Sequence, residues 1–452
     1  MNAGELSRQA GLVIQLVDSI VGLLVESNSR HYPGGTALFR DYVLKLGEAT
    51  EVYVSGVVTA GSNEPKHVQS LATLTRLWRS LHTFVKPIAD SHSLTYPYSL
   101  IEAFASILRS LETFGFSELQ VAVFHTADFN YLQLQTSSLM NLSETIKGVI
   151  PGAPSFPQGL VLVGLPYSQQ GSVDLNTLLM HELGHFVYQT VSDPRAKIVQ
   201  CLEKLEKDGE LAEILEKSED DQSWCFQMFR QWIEELYADL FAVEMIGPAF
   251  TYAFTDFIDS TLLSRASDEL YEFGPSHPAD AYRLRQQYAL LEKRGWWKHF
   301  SAIDNPVLPA LKKLSQEPLT QFSYTGGRQN LAELAMKLFF QVAEQLDGLC
   351  FEQLGVATTS SAEFEKLGEA VERYLSRGVV PSTLNIGGIV TRPSEATLIN
   401  ASRRFNLAGL KTLLDNFDPP QSLNARTYAK WSRRVESWIL KALEDVELLK
   451  ES

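Results

Sequence analysis

A chain of 452 residues, at about 150 residues per domain, holds two or three domains or one enlarged domain with helical extensions. Its 45% hydrophobic and 21% charged content excludes a disordered or low-complexity chain. A formal charge of −15 provides no overall basic surface for phosphates, so neither nucleic acid nor an anionic membrane is an expected partner.

Residues 1–30 carry apolar stretches at 11–17 and 20–25, split by Asp18 and preceded by Glu5 and Arg8. With no basic leader and no small-residue cleavage site they predict an amphipathic helix and not a signal peptide. No run of 18 uninterrupted apolar residues occurs, which predicts no membrane span. Residues 5–58 and 66–115 keep apolar positions at helical spacing, with turn signals at Pro33-Gly34-Gly35 and around 61–65. Residues 119–124 and 160–165 are short Val- and Leu-rich runs that predict strands of a small sheet. Beyond Pro166, a polar turn at 168–172 leads into a helix from Asp174, its predicted N-cap, to about Val191.

Residues 195–221, dense in Lys, Glu and Asp and broken at Gly209, predict a solvated helical hairpin. Residues 222–262 are a strongly apolar helical region, and another helix is expected from Pro278 to about Lys293. Several more follow over 329–450, interrupted near Pro381, Gly387-Gly388 and Pro419-Pro420. The expected fold class is mainly α (α+β), with an N-terminal helical region at 1–115, a core at 116–295 containing the insert 195–221, and a C-terminal helical region at 296–452. Cys201, Cys225 and Cys350 form neither a CxxC pair nor an even set, so a reducing, cytoplasmic setting is expected.

The helix from Asp174 contains His181-Glu182-Leu183-Gly184-His185. Residues four apart lie one above the other, so both imidazoles project from one face and can bind one ion, while Glu182 lies about 100° round and can reach a water on it. With nine His in the chain, such a pattern arises by chance about 1% of the time. Two His that are only hydrogen-bonded core residues are the alternative.

A structural zinc site closes four protein ligands and a catalytic one keeps three plus water, so a third ligand is needed. A His at position 191 would mark the metzincins, but Val191 stands there. Glu235 and Asp239 lie four apart on a helix otherwise covered by large apolar side chains, beside the small Ala238 and Ala242. Like charges at that spacing repel, and burial sharpens the cost unless cations answer them. Glu235 is the expected third ligand, and Asp239 the expected acceptor for the outer ring N–H of His181. Glu234 is the rival ligand but has Ala238, not an acid, four residues on; an exposed acidic stripe is the alternative. Farther on, Pro278 suits the first turn of a helix that would hold His277 at a cleft mouth, where it could donate to a peptide oxyanion, while Arg283 could brace the site or bind a carboxylate.

In this order the three elements resemble the gluzincin metallopeptidases, most closely the HtpX-like and CAAX-prenyl endopeptidase group, in which HExxH, ExxAD and HPxxxxR follow one another. Ala238-Asp239 followed by Phe241-Ala242 is also similar to the ImmA-type zincins. The resemblance spans residues 174–286, a quarter of the chain. It implies a zincin-like core in which a helix pair lies beside a small sheet whose edge strand, here 160–165, holds the peptide. Membrane residence and prenylated substrates are not carried over.

The expected activity is that of a soluble zinc peptidase acting on a peptide or protein. One Zn²⁺, held by His181, His185 and Glu235, activates water, and Glu182 relays its proton to the leaving amine. The competing expectation is a catalytically silent zincin scaffold that binds partners through its helical regions. The sequence defines neither a specificity pocket nor an oligomeric state.

Overall fold

The computed structural model describes residues 3–26, 34–60, 65–89, 98–111, 114–126, 132–134, 136–166, 172–262, 267–301, 303, 307–415 and 424–450. Pro33, the turn signals at 61–64, the polar turn at 168–171 and Pro419-Pro420 lie outside them. The fold is mainly α, with small sheets of two or three strands among the described residues. The chain divides into two compact units, 1–171 and 172–452.

In the first unit, α1 (Ala3–Glu26), α2 (Gly34–Thr59), α3 (Pro65–Ala89) and α4 (Tyr98–Arg109) precede β1 (Gln120–Thr126), β2 (Leu132–Leu134), α5 (Thr136–Val149) and β3 (Leu160–Pro166). Leu6, Ala10, Val13, Val17, Ile20 and Leu24 recur every three or four residues, so α1 buries one continuous stripe in a core shared with Val43 and Leu46 of α2 and Leu74 and Trp78 of α3. Within α1, Leu6–Val25 has a mean hydropathy of 1.5 and is long and apolar enough, by length and composition, to cross a membrane. That corrects the expectation that no segment qualifies: the test of an unbroken apolar run fails here on Arg8 and Asp18 and on the polar Ser7, Gln9, Gln15 and Ser19, whereas the mean over the stretch stays apolar.

The strand β3 pairs with β1 in parallel and with β2 antiparallel. It is therefore the centre of the sheet and not its edge, and all seven of its residues are buried. The sequence does not announce this, because β2 has only three residues, with the polar Gln133 in the middle.

The sheet groups with the N-terminal helices and not with residues 172–295. Thr36 Oγ1 of α2 accepts from the Val123 amide at 3.3 Å, and Gly35 has no room for a side chain, since a Cβ there would lie 2.5 Å from the Val121 carbonyl carbon.

The second unit opens with α6 (Val173–Asn176), α7 (Leu179–Thr190), α8 (Ser192–Lys207), α9 (Ala212–Leu215), α10 (Glu219–Ile246) and α11 (Pro248–Leu262). Next come β4 (Glu272–Phe273), α12 (Asp280–Lys293), α13 (Trp297–Phe300), α14 (Val307–Ser315), β5 (Ser323–Tyr324) and α15 (Gln329–Ala343). It ends with α16 (Val356–Ser376), the hairpin β6 (Leu384–Ile386) and β7 (Ile389–Thr391), α17 (Glu395–Arg404), α18 (Leu410–Asp415) and α19 (Ala425–Lys450).

Ser172, not Asp174, is the N-cap: its Oγ accepts from the Leu175 amide, while Asp174 sits in the first turn and pairs with Arg403. The helix expected from there is broken at Thr177-Leu178 into α6 and α7. Pro278 likewise falls two residues before α12, whose N-cap is Ala279.

The central element is α10. Ser218 caps it and Glu219, Asp220 and Asp221 fill its first turn, where negative charge meets the positive end of the helix dipole. Residues 236–246 are all buried, among α7, α11, α12, α15 and α16. Gly247 ends the helix at φ 73°, where a Cβ would lie 2.8 Å from the Trp296 ring, and Pro248 opens α11.

Candidate metal centre

The helix α7 packs against the second half of α10. Gly184 lies tight against Ala238, where a Cβ on Gly184 would lie 2.8 Å from Ala238 Cα and 3.0 Å from its carbonyl oxygen. Absence of a side chain at one position and a methyl at the other lets the two backbones come this close. The polar groups three residues before and one residue after this contact, His181 and His185 on α7 and Glu235 and Asp239 on α10, are thereby brought together.

His181 Nε2 and His185 Nε2 are 3.1 Å apart; Glu235 Oε2 lies 3.5 Å from the first and its Oε1 3.4 Å from the second. Metal–donor distances of about 2.0–2.2 Å in a tetrahedron place neighbouring donors about 3.3–3.6 Å apart. The two ring nitrogens each face a different oxygen of the Glu235 carboxylate, and one donor atom from each of the three residues lies within 4.8 Å of the others, which suits one small divalent ion; among the described residues the group has three members. Three protein donors match the catalytic type of zinc site, which keeps one position for water or substrate.

Carboxylates back both imidazoles on their outer side. Asp239 Oδ1 lies 2.9 Å from His181 Nδ1, and Asp239 is in turn gripped by Arg283, whose Nε and Nη2 donate to its two oxygens at 2.6 and 2.8 Å. Arg283 also reaches Glu235 Oε2 at 3.6 Å and stacks on Phe254 at 4.5 Å. On the other imidazole, Glu234 Oε1 lies 3.4 Å from His185 Nδ1 and accepts from Gln189 Nε2 at 2.8 Å. Glu234, the rival ligand by sequence, therefore lies on the Nδ1 side of His185, whereas Glu235 lies on the Nε2 side that also faces His181.

Burial penalises every charge here, and the partners decide the outcome. It would raise Glu235, but His181, His185 and Arg283 hold that carboxyl well below its usual range; Asp239 is lowered by Arg283 and His181 against the same penalty. For His185, burial pulls the pKa down and contacts with Glu234 and Glu235 push it up to about 10. A ring this basic carries a proton when no ion is bound, and an ion must displace it.

Comparison with known protein families, curated proteins and solved structures returns no match for this chain. The reading of the site therefore stands on its own residues.

Glu182 is buried in the first turn of α7, and its charge helps to raise the pKa of His185. His277 has a side chain 58% exposed, with Nε2 3.6 Å from Glu235 Oε1 and Nδ1 2.7 Å from Ser276 Oγ. Partial burial, offset only in part by Glu235, lowers its pKa. Its loop is tethered to α10: the Trp232 indole donates to Gly274 O at 2.8 Å, and the Gly274 amide donates to His277 O at 3.0 Å. Trp232 precedes Glu235 by one turn, so one helix sets both the ligand and the loop. Sequence reasoning brings forward neither this tether nor Gln189. The one signal it holds is a polar Gln189 four residues after His185 on a largely apolar helix.

Proposed function

We propose that the chain is a zinc-dependent peptidase that acts in the cytoplasm on peptide or protein substrates. The observation that carries the reading is the mutual spacing of 3.1, 3.5 and 3.4 Å among the donors of His181, His185 and Glu235, with Glu182 in the same turn of α7. The three free cysteines fit a reducing compartment. The order of the three motifs, which resembles the HtpX-like group, supports hydrolysis over another use of the metal.

His181, His185 and Glu235 would hold the zinc, which would supply a Lewis acid for a peptide carbonyl and for the attacking water. Glu182 accepts the proton of the attacking water and passes it to the departing amine. His277, exposed beside the ligands, donates a hydrogen bond to the carbonyl oxygen as negative charge builds there. Asp239 and Arg283 keep His181 and Glu235 in place and do not meet substrate.

The test is metal analysis of the purified protein with digestion of a broad peptide library, with and without chelator. One zinc per chain and chelator-sensitive cleavage are expected. Glu182→Gln keeps the zinc and loses about 10²–10⁴-fold in rate, whereas Glu235→Ala loses the zinc. Undiminished cleavage by Glu182→Gln would remove the general-base assignment, and a wild-type protein that takes up no zinc would remove the whole reading.

A further inference from the structure

Four residues on α7 and α10 form a closed clamp that the three-donor description leaves out. On α10, the neighbours Glu234 and Glu235 address opposite nitrogens of one ring: Glu234 Oε1 is 3.4 Å from His185 Nδ1 and Glu235 Oε1 is 3.4 Å from His185 Nε2. On α7, His185 and Gln189, one turn apart, both face Glu234, with Gln189 Nε2 donating at 2.8 Å. Each helix thus offers two groups to the other, and every link passes through Glu234 or His185.

The clamp differs in kind from the arm behind His181. Asp239 is fully buried and its charge is answered by a bidentate guanidinium. Glu234 has a side chain 28% exposed and meets an imidazole and a neutral amide. Its negative charge is therefore directed at His185. A carboxylate behind a ligating imidazole fixes the tautomer that leaves the inner nitrogen free to bind and makes that nitrogen a stronger donor.

We infer that Glu234, held by Gln189, is a positioning residue for the metal: it orients His185 and raises its donor strength, without ligating the ion itself. This rests on the zinc-site reading above and goes beyond it by assigning a task to a residue outside the three motifs' ligand set.

The experiment measures zinc dissociation constants by chelator competition, and the visible absorption of the Co²⁺-loaded protein, for wild type, Glu234→Gln, Glu234→Ala and Glu234→Asp. Wild type is expected to bind zinc. Glu234→Ala is expected to bind about 10–100-fold more weakly, and Glu234→Gln, near-isosteric and still able to accept, to lie between. Glu234→Asp, one methylene shorter, is expected not to restore wild-type affinity. The Co²⁺ bands should shift in each variant, because ligand orientation alters the metal's field where a loss of stability alone does not. Should Glu234→Ala fail to fold, Glu234→Gln decides. Zinc affinity and Co²⁺ bands equal to wild type in Glu234→Gln would overturn the inference while leaving the three-donor site intact. A wild type that binds no metal overturns the underlying reading as well.

Discussion

Asp239 and Glu436 are both buried carboxyl groups, and they meet opposite fates. Asp239 has a guanidinium on both oxygens, so its charge survives burial and its pKa is lowered. Glu436, on α19, is 6% exposed; its Oε1 accepts from Ser172 Oγ at 3.0 Å, and the nearby Asp174 already takes the cation Arg403. Burial first, and then the charge of Asp174, push Glu436 from its ordinary 4.5 up to about 8. The folded chain therefore keeps a proton there that the unfolded chain gives up near 4.5. Between about pH 4.5 and about pH 8 the contribution of Glu436 to stability falls as pH rises, by on the order of a few kcal/mol in all. Glu436→Gln removes that slope. Thermal melts of the variant should match wild type near the acid end of this window and exceed it near the alkaline end. His185 adds its own alkaline slope in metal-free protein, but the difference between the two proteins cancels it. Identical pH slopes would show that Glu436 ionises normally in the fold.

At the scale of elements, the candidate metal centre is a consequence of how closely α7 and α10 approach. Gly184→Ala puts a methyl 2.8 Å from a backbone carbon and 3.0 Å from a backbone oxygen, neither of which is the flexible end of a side chain. The helices must separate, at a cost of about 1–3 kcal/mol, and donors set 3.1–3.5 Å apart lose their match to one ion. The variant should keep its helical circular dichroism and bind zinc at least about 10-fold more weakly; wild-type affinity would mean that the contact does not set the spacing.

Much of this pair is legible in the sequence. The i, i+4 rule aligns His181 with His185 and Glu235 with Asp239, and apolar periodicity marks both helices. What the sequence hides follows from the third dimension. Ser172 and Asp174 are equally good caps until one of them is drawn into an ion pair. No Gly or Pro announces the break at Thr177-Leu178. Glu234 looks like a failed ligand because pairing along its own helix says nothing of the histidine that faces it from α7.

At the scale of the whole molecule, composition and periodicity make the helical class readable, but not the grouping of its parts. The strand run at 160–165 reads as part of the peptide site because the resemblance to the gluzincins implies an edge strand beside the HExxH helix, and this run lies just ahead of that helix in the chain. Its hydrogen bonds instead run to β1 and β2 within the unit 1–171, as does the packing of the membrane-length stretch of α1. Chain order misleads because covalent neighbours need not share a core. Every group described at the metal centre, from the donors through Glu234, Gln189, Asp239 and Arg283 to His277, lies in the unit 172–452, together with the aromatic core of Trp232, Phe273, Tyr282 and Phe339 beneath it. A unit with its own core and all its ligands has what independent folding requires. A fragment beginning at Ser172 should therefore fold cooperatively and bind zinc with the affinity of the full chain, measured by the same chelator competition. Full-length protein that binds zinc while a folded 172–452 fragment does not would place a determinant of the site in residues 1–171, and the boundary between the two units would have to move.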